Sequence, residues 1–366
     1  MATAIIPGMK AGILGLSLVG KSTLFQLLTG HGGTGHGGRP EARVGIARVP
    51  DARVESLAAI FNPKKKTWAT VEYVDVPGVA RGEGSALVDL PALRGVDALV
   101  HVVRAFESDV APHPEGSTDP LRDASTLELE LILADLATVE RRIERLEASI
   151  QKTRLPEEVA ERELFLRLKD ALEGEKPLRE LGLTDEERRR LRGYSLLSEK
   201  PLLLVANLDE DRMREAAAYL DSSGLTELAR RPQVAVCAVS APIEAEMAEL
   251  SAEDAQAFRD DLGLAEPGLD RVIQSSYELL GLVSFLTVGE DECRAWTLRK
   301  GTRAQIAAGT IHSDIERGFI RAEVVAFEDL VAAGSLAACR ERGTLRLEGK
   351  EYDVKDGDVI NFRFAV

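Results

Sequence analysis

The chain has 366 residues, 45% hydrophobic and 29% charged, with a formal net charge of −15. That length predicts two or three domains, and the balance is globular rather than disordered. No apolar run reaches the ~18–20 residues of a membrane span, MATAIIPGMK lacks a basic start and long apolar core so no signal peptide is expected, and Cys237, Cys293 and Cys339 are too scattered for a zinc site or disulfide framework.

The expected setting is therefore cytoplasmic, with no membrane partner. The acidic excess sits mainly in residues 201–282, where 16 acidic face 6 basic residues, net −10. No segment is a basic nucleic-acid-binding block, so no DNA partner is expected. RNA contact is left to local clusters such as Lys64-Lys65-Lys66 or Arg188-Arg189-Arg190, each of which also reads as ordinary solvated surface.

Taken in chain order, Ala11–Leu14, Thr70–Val76 and Ala98–Val103 read as buried strands, continued by Leu202–Ala206 and Gln233–Val239. Strands alternating with helical patterns predict an α/β fold with a mostly parallel sheet and a ligand site at the strands' carboxyl ends. HGGTGHGG (31–38) is too glycine-rich to hold a packed conformation without a partner. Ile132, Leu136, Val139, Ile143, Leu146 and Ile150 form a heptad seam that ends at Leu155-Pro156. Leu164, Leu168, Ala171 and Leu172 mark a second helix, so the pair predicts an antiparallel α-helical coiled coil inserted into the α/β domain. Its role is either packing or a projecting arm for a partner. From about Leu282 the chain turns β-rich, in SFLTVG, CRAWTL, GTLRLEG, EYDV and VINFRFAV, which predicts a small β-grasp-like module. The expected boundaries are 1–125 and 201–282 for the two parts of the α/β domain, 126–200 for the helical insertion and 283–366 for the terminal module.

GLSLVGKST (15–23) fits G-x-x-x-x-G-K-[ST] between a predicted strand and a predicted helix, the context that makes this pattern a phosphate-binding loop. Gly15 and Gly20 permit the tight turn. Backbone N–H groups from Leu18, Val19, Gly20, Lys21, Ser22 and Thr23 are expected to cradle phosphate oxygens. Lys21 is expected between the β and γ phosphates, and Ser22 on Mg²⁺. DVPG (75–78) adds Asp75 for the metal and the Gly78 N–H for the γ-phosphate. In LLLVANLDE, Asn207, Leu208 and Glu210 occupy a base-recognition strand end, with Leu208 as an apolar stacking surface. Glu210 is one methylene longer than the Asp of guanine-specific enzymes, which weakens the case for GTP and permits ATP. Ser240-Ala241, after the next strand, occupies the position of a second base loop, or of an ordinary strand-exit turn. Glu83 and His101 are near in sequence, but neither is expected to act as a base. His101 reads as a satisfied structural histidine at a strand end.

These residues together resemble the YchF/Obg-like ATPase family of P-loop NTPases. The resemblance spans essentially the whole length, through GKSTLF (20–25), VGIARVPD (44–51), DVPG, RGEG (81–84) and HVVRAFE (101–107). It is strongest in RAWTLRKG (294–301), AAGTIHSDIERGFIRAEVVAFEDL (307–330) and LRLEGKEYDVKDGDVINFRF (345–364). It implies a G domain interrupted by a coiled coil, a terminal TGS domain, a preference for ATP, and association with the ribosome; direct RNA contact by the terminal domain is a separate reading. The chain departs from the family pattern at Ser17-Leu18, which replaces Pro-Asn. Leu18 lacks the amide that holds a monovalent cation in related enzymes, so potassium activation is not expected. Arg39 stands where the first switch has Thr, two residues before Glu41, with Thr34 as a candidate replacement. Val79 is the hydrophobic residue that the family has after D-x-x-G, and about four residues are missing before Arg81. Two functions follow: slow Mg²⁺-dependent hydrolysis of ATP or GTP, or a nucleotide-binding module that docks the ribosome without appreciable turnover.

Overall fold

A computed structural model of the chain describes residues 9–30, 43–76, 90–108, 111–113, 115–153 and 155–365. HGGTGHGG with Thr34, Arg39 and Glu41, and the stretch holding Gly78, Val79 and RGEG with Glu83, lie outside the described residues. Among the described residues, no helix is long and apolar enough to cross a membrane. Strands β1 (Lys10–Leu14), β2 (Arg43–Arg48), β3 (Lys65–Thr67), β4 (Thr70–Asp75), β5 (Ala98–Ala105), β6 (Leu202–Leu208) and β7 (Val234–Val239) precede the C-terminal module. Two compact units emerge, one comprising Lys10–Gly45 and Tyr73–Leu279, the other joining Ile46–Glu72 to the chain from Leu280 onward.

One sheet has the order β2-β4-β1-β5-β6-β7. β1 runs parallel to β5, β5 to β6 and β6 to β7. β5 and β6 are buried along their whole length, as expected of strands covered on both faces. Leu14, Val74, Leu99, Val103, Leu204 and Ile243 share the core around them. β2 escapes the sequence reading because its burial alternates and its outward residues, Val44 and Ile46, are each 58% exposed.

One helix, Pro120–Thr153, serves two cores. Ala124, Leu127 and Leu131 pack into the α/β core. Further along, Ile132, Val139 and Ile143 pack with Leu164, Phe165, Leu168 and Leu172 of the helix Pro156–Glu173. Pro156 opens this second helix at a position where its missing N–H costs nothing. Ser149–Glu158 and Arg142–Glu161 contacts at 2.8 and 2.7 Å fix an antiparallel hairpin. Asp135 anchors its base: this fully buried carboxylate accepts from the Leu197 and Ser198 amides at 2.9 and 2.7 Å and from Ser198 Oγ at 2.7 Å. Asp135→Ala strands three donors away from water. It is expected to lower unfolding free energy by about 3 kcal/mol, read from the denaturation midpoint.

The second unit contains β8 (Leu282–Thr287), β9 (Glu292–Arg299), β10 (Phe319–Ala326), β11 (Arg346–Glu348) and β12 (Asp358–Phe364), in the order β11-β10-β12-β8-β9-β3. β12 runs parallel to β8 and antiparallel to β10, and β8–β9 is an antiparallel pair. This is β-grasp connectivity around a core of Phe285, Leu298, Ala307, Phe319, Val324, Ile360 and Phe362. EYDV supplies no named strand, only a bridge from Asp353 to Arg303. β3 extends the sheet by pairing with β9, Lys65 opposite Glu292. The Lys64-Lys65-Lys66 cluster is spent here: Lys64 pairs with Asp291 at 2.7 Å, Lys65 with Glu292 at 3.2 Å and Lys66 with Glu55 at 2.7 Å. Arg188 and Arg190 are likewise paired, with Glu199 and Glu186.

Candidate nucleotide site

β1 delivers the chain to a loop that returns as the helix Lys21–Thr29. Gly15 is required at the entrance, because a Cβ there would lie 2.4 Å from the Val102 carbonyl oxygen of β5. Gly20 is required at the exit, with φ +97° and its missing Cβ 2.4 Å from Asn207 Nδ2. Between them Leu18 takes the left-handed conformation at φ 62° and is 55% exposed. No side chain caps the helix, so its first N–H groups and the positive end of its dipole are left for an anion.

Lys21 is only 8% exposed and donates to the Gly15 and Leu16 carbonyls at 2.8 and 2.5 Å. Burial lowers its pKa to about 8, partly countered by the charge of Asp75. An ammonium held this way, against its preference for water, is poised for a polyphosphate. Ser22 Oγ donates to Asp75 Oδ2 at 3.2 Å, and Asp75 is 5% exposed at the end of β4. The same carboxylate oxygen accepts from Arg43 Nη2 at 2.5 Å. The loop pattern and the D-x-x-G carboxylate, 53 residues apart, thus meet at one oxygen. Hydroxyl and carboxylate oxygens suit a hard divalent cation, and a guanidinium already stands in for positive charge there. Among the described residues no three His, Cys, Asp or Glu side chains gather as a metal site. A metal held by Ser22 and Asp75 would take its other ligands from phosphate and water, the usual arrangement for Mg²⁺.

The base-recognition residues fall differently. Asn207 is 4% exposed and acts as a strut: Nδ2 donates to the Val19 carbonyl at 3.0 Å and Oδ1 accepts from the Ala241 amide at 3.1 Å. It ties the phosphate loop to the Ser240-Ala241 turn. Leu208 is fully buried in the α/β core, so the expected stacking surface is absent; its side chain fills the sheet's interior instead. Glu210 is exposed and opens a short helix capped by Asp209. Ser240 Oγ is buried with no hydrogen-bond partner among the described residues.

His101 corrects another expectation. It lies inside β5, opposite Leu14, rather than at the strand's end. It is 2% exposed, and among the described residues its Nε2 has no hydrogen-bond partner. Burial, and then the charge of Lys21, push its pKa down to about 3, so the ring is neutral. Arg43 was not singled out by any motif; only its position beside Asp75 identifies it.

Residues 282–365 match the family model YchF-GTPase_C, described as "Protein of unknown function (DUF933)". Over 366 aligned residues the chain is 46% identical to "Ribosome-binding ATPase YchF" of Bacillus subtilis (strain 168), covering 98% of this chain and 100% of that protein. The chain belongs to the YchF family. The protein of the same name from Escherichia coli O157:H7 is 41% identical over 368 residues, again covering 98% and 100%. Among solved structures, "Structure of the Schizosaccharomyces pombe YchF GTPase" superposes with a TM-score of 0.85 at 28% identity, covering 98% of both chains. The architecture is therefore the family's: a P-loop NTPase fold with a helical region and a C-terminal TGS domain. The names of these relatives carry both ATPase and GTPase.

Proposed function

We propose that this protein binds ATP on the loop Gly15–Thr23 with Mg²⁺ at Ser22 and Asp75, hydrolyses it slowly, and couples that cycle to the ribosome in the cytoplasm. The observation that carries the reading is the buried Lys21 ammonium beside the Ser22–Asp75 pair. Lys21 would bridge the β and γ phosphates, and the uncapped helix start would bind their oxygens. The metal, when bound, would neutralise charge developing during phosphoryl transfer. Gly78 is assigned to the γ-phosphate on its motif alone. Asn207 would hold the loop in register, leaving Glu210, Ser240 and Ala241 as the base-facing groups. An exposed glutamate does not reproduce the bidentate reach of aspartate to guanine, which favours ATP. The ribosome enters from the names of the B. subtilis and E. coli relatives, and the helical hairpin and TGS domain are the proposed docking surfaces, with rRNA contact among them.

Titration with ATP and GTP, followed by multiple-turnover assays with Mg²⁺, tests this reading. ATP is expected to bind at least as tightly as GTP, with slow turnover. Tenfold tighter GTP binding would contradict the role given to Glu210. Tight binding without turnover would leave the module reading, which the exposed apolar Leu18 in the phosphate loop favours.

A further inference from the structure

Asp75 is nearly enclosed, and a guanidinium rather than the loop lysine contacts its carboxylate. Lys21 spends its hydrogen bonds on Gly15 and Leu16. The contact comes from Arg43, at the first position of β2, whose Nη2 lies 2.5 Å from Oδ2, the oxygen that also accepts from Ser22. The Arg43 guanidinium also lies 5.4 Å from the centre of the Phe25 ring, on the loop helix. These contacts place the cation between strand, helix and carboxylate. Its side chain remains 40% exposed, whereas that of Asp75 is 6% exposed, so the arginine can withdraw into solvent while the carboxylate stays largely enclosed.

We propose that Arg43 is a built-in counter-cation that competes with Mg²⁺ for the Asp75 carboxylate, so that metal loading requires the guanidinium to leave. The inference rests on the assignment of Ser22 and Asp75 to the metal. An Mg²⁺ ion needs oxygens at about 2.0–2.1 Å in near-octahedral array and keeps several of its waters. A metal held by Ser22 and Asp75 would approach Oδ2, the oxygen that both Ser22 Oγ and Arg43 Nη2 contact. Two cations on one oxygen repel, so the occupants exclude each other. Apparent metal affinity then equals intrinsic affinity multiplied by the fraction of molecules in which Arg43 has released Asp75. Half-exposed ion pairs of this kind shift such an equilibrium by about fivefold, and a short, charge-assisted contact by about tenfold. Arg43 would thereby make tight nucleotide binding conditional on magnesium and hold Asp75 neutralised until the metal arrives.

The sign separates this role from simple attraction of a polyphosphate. A guanidinium that only attracts phosphate would, when removed, weaken nucleotide binding with or without metal. A competitor, when removed, strengthens the metal-dependent part alone. The test is a Mg²⁺ titration of fluorescent-ADP binding by the full chain, with a parallel measurement in EDTA, for wild type, Arg43→Gln, Arg43→Asn and Arg43→Lys. The two neutral variants are expected to lower the Mg²⁺ midpoint five- to tenfold with no gain in EDTA, and Arg43→Lys to stay within about twofold of wild type. An unchanged or raised midpoint in both neutral variants would overturn the proposal. So would equal tightening in EDTA, or a lysine variant that behaves like the neutral ones. Failure of wild type to bind fluorescent ADP under any condition would instead remove the proposed function, and this inference with it.

Discussion

Lys21→Ala is expected to weaken ATP binding about 100-fold and to remove measurable turnover, while leaving the fold intact. The wild-type ammonium is desolvated, which lowers its pKa to about 8, and its two partners are neutral carbonyls. A polyphosphate would replace them with charge-assisted bonds, each worth about 1.5–3 kcal/mol in such a setting. Loss of a charge preorganised against the transferring group typically costs a further 10²–10³ in rate. Stability should change by less than about 1 kcal/mol, because relief of a buried charge offsets two lost hydrogen bonds. Titration calorimetry with Mg²⁺–ATP, a phosphate-release assay and a urea melt read the three quantities. Retained affinity in Lys21→Ala would mean that phosphates do not occupy this loop.

The second large effect is expected at Asn207. Its side chain joins Val19 in the phosphate loop to Ala241 at the start of the helix Ala241–Glu249, and it is almost fully buried. Asn207→Ala strands one buried acceptor and one buried donor, at about 1–3 kcal/mol each. It is expected to destabilise the nucleotide-free protein by about 2–4 kcal/mol and to lower affinity for ATP and GTP by the same factor, on the order of tenfold. Equal losses mark a strut. A selective loss of one nucleotide, with unchanged stability in the urea melt, would make Asn207 a base contact instead.

Much of this site is legible in the chain. The phosphate loop declares itself because strand, glycines, lysine and helix must fall at fixed spacing for the backbone to wrap an anion. The central strands declare themselves because, buried on both faces, they are nearly continuous apolar runs. What the residues do across the fold is harder to read. The direction of Leu208 depends on strand parity at the end of β6, and one residue of register separates a stacking surface from a core side chain. β3 pairs with β9, a partner more than two hundred residues away, and no local periodicity reports such a strand. Arg43 and Asp135 matter through long-range contacts, with Asp75 in one case and with Leu197 and Ser198 in the other. His101 shows the limit differently: its apolar neighbours suggest a quiet core position, yet the folded strand sets a neutral imidazole within the field of Lys21, with one nitrogen unpartnered among the described residues.

The central claim is that phosphates sit on the loop Gly15–Thr23 with the metal between Ser22 and Asp75. A crystal structure with Mg²⁺ and a non-hydrolysable ATP analogue tests it most directly. The expected result is Lys21 Nζ within hydrogen-bond distance of the β and γ phosphates, Mg²⁺ on Ser22 Oγ, and Arg43 released from Asp75. Phosphates bound elsewhere, with Lys21 still donating to Gly15 and Leu16, would contradict it.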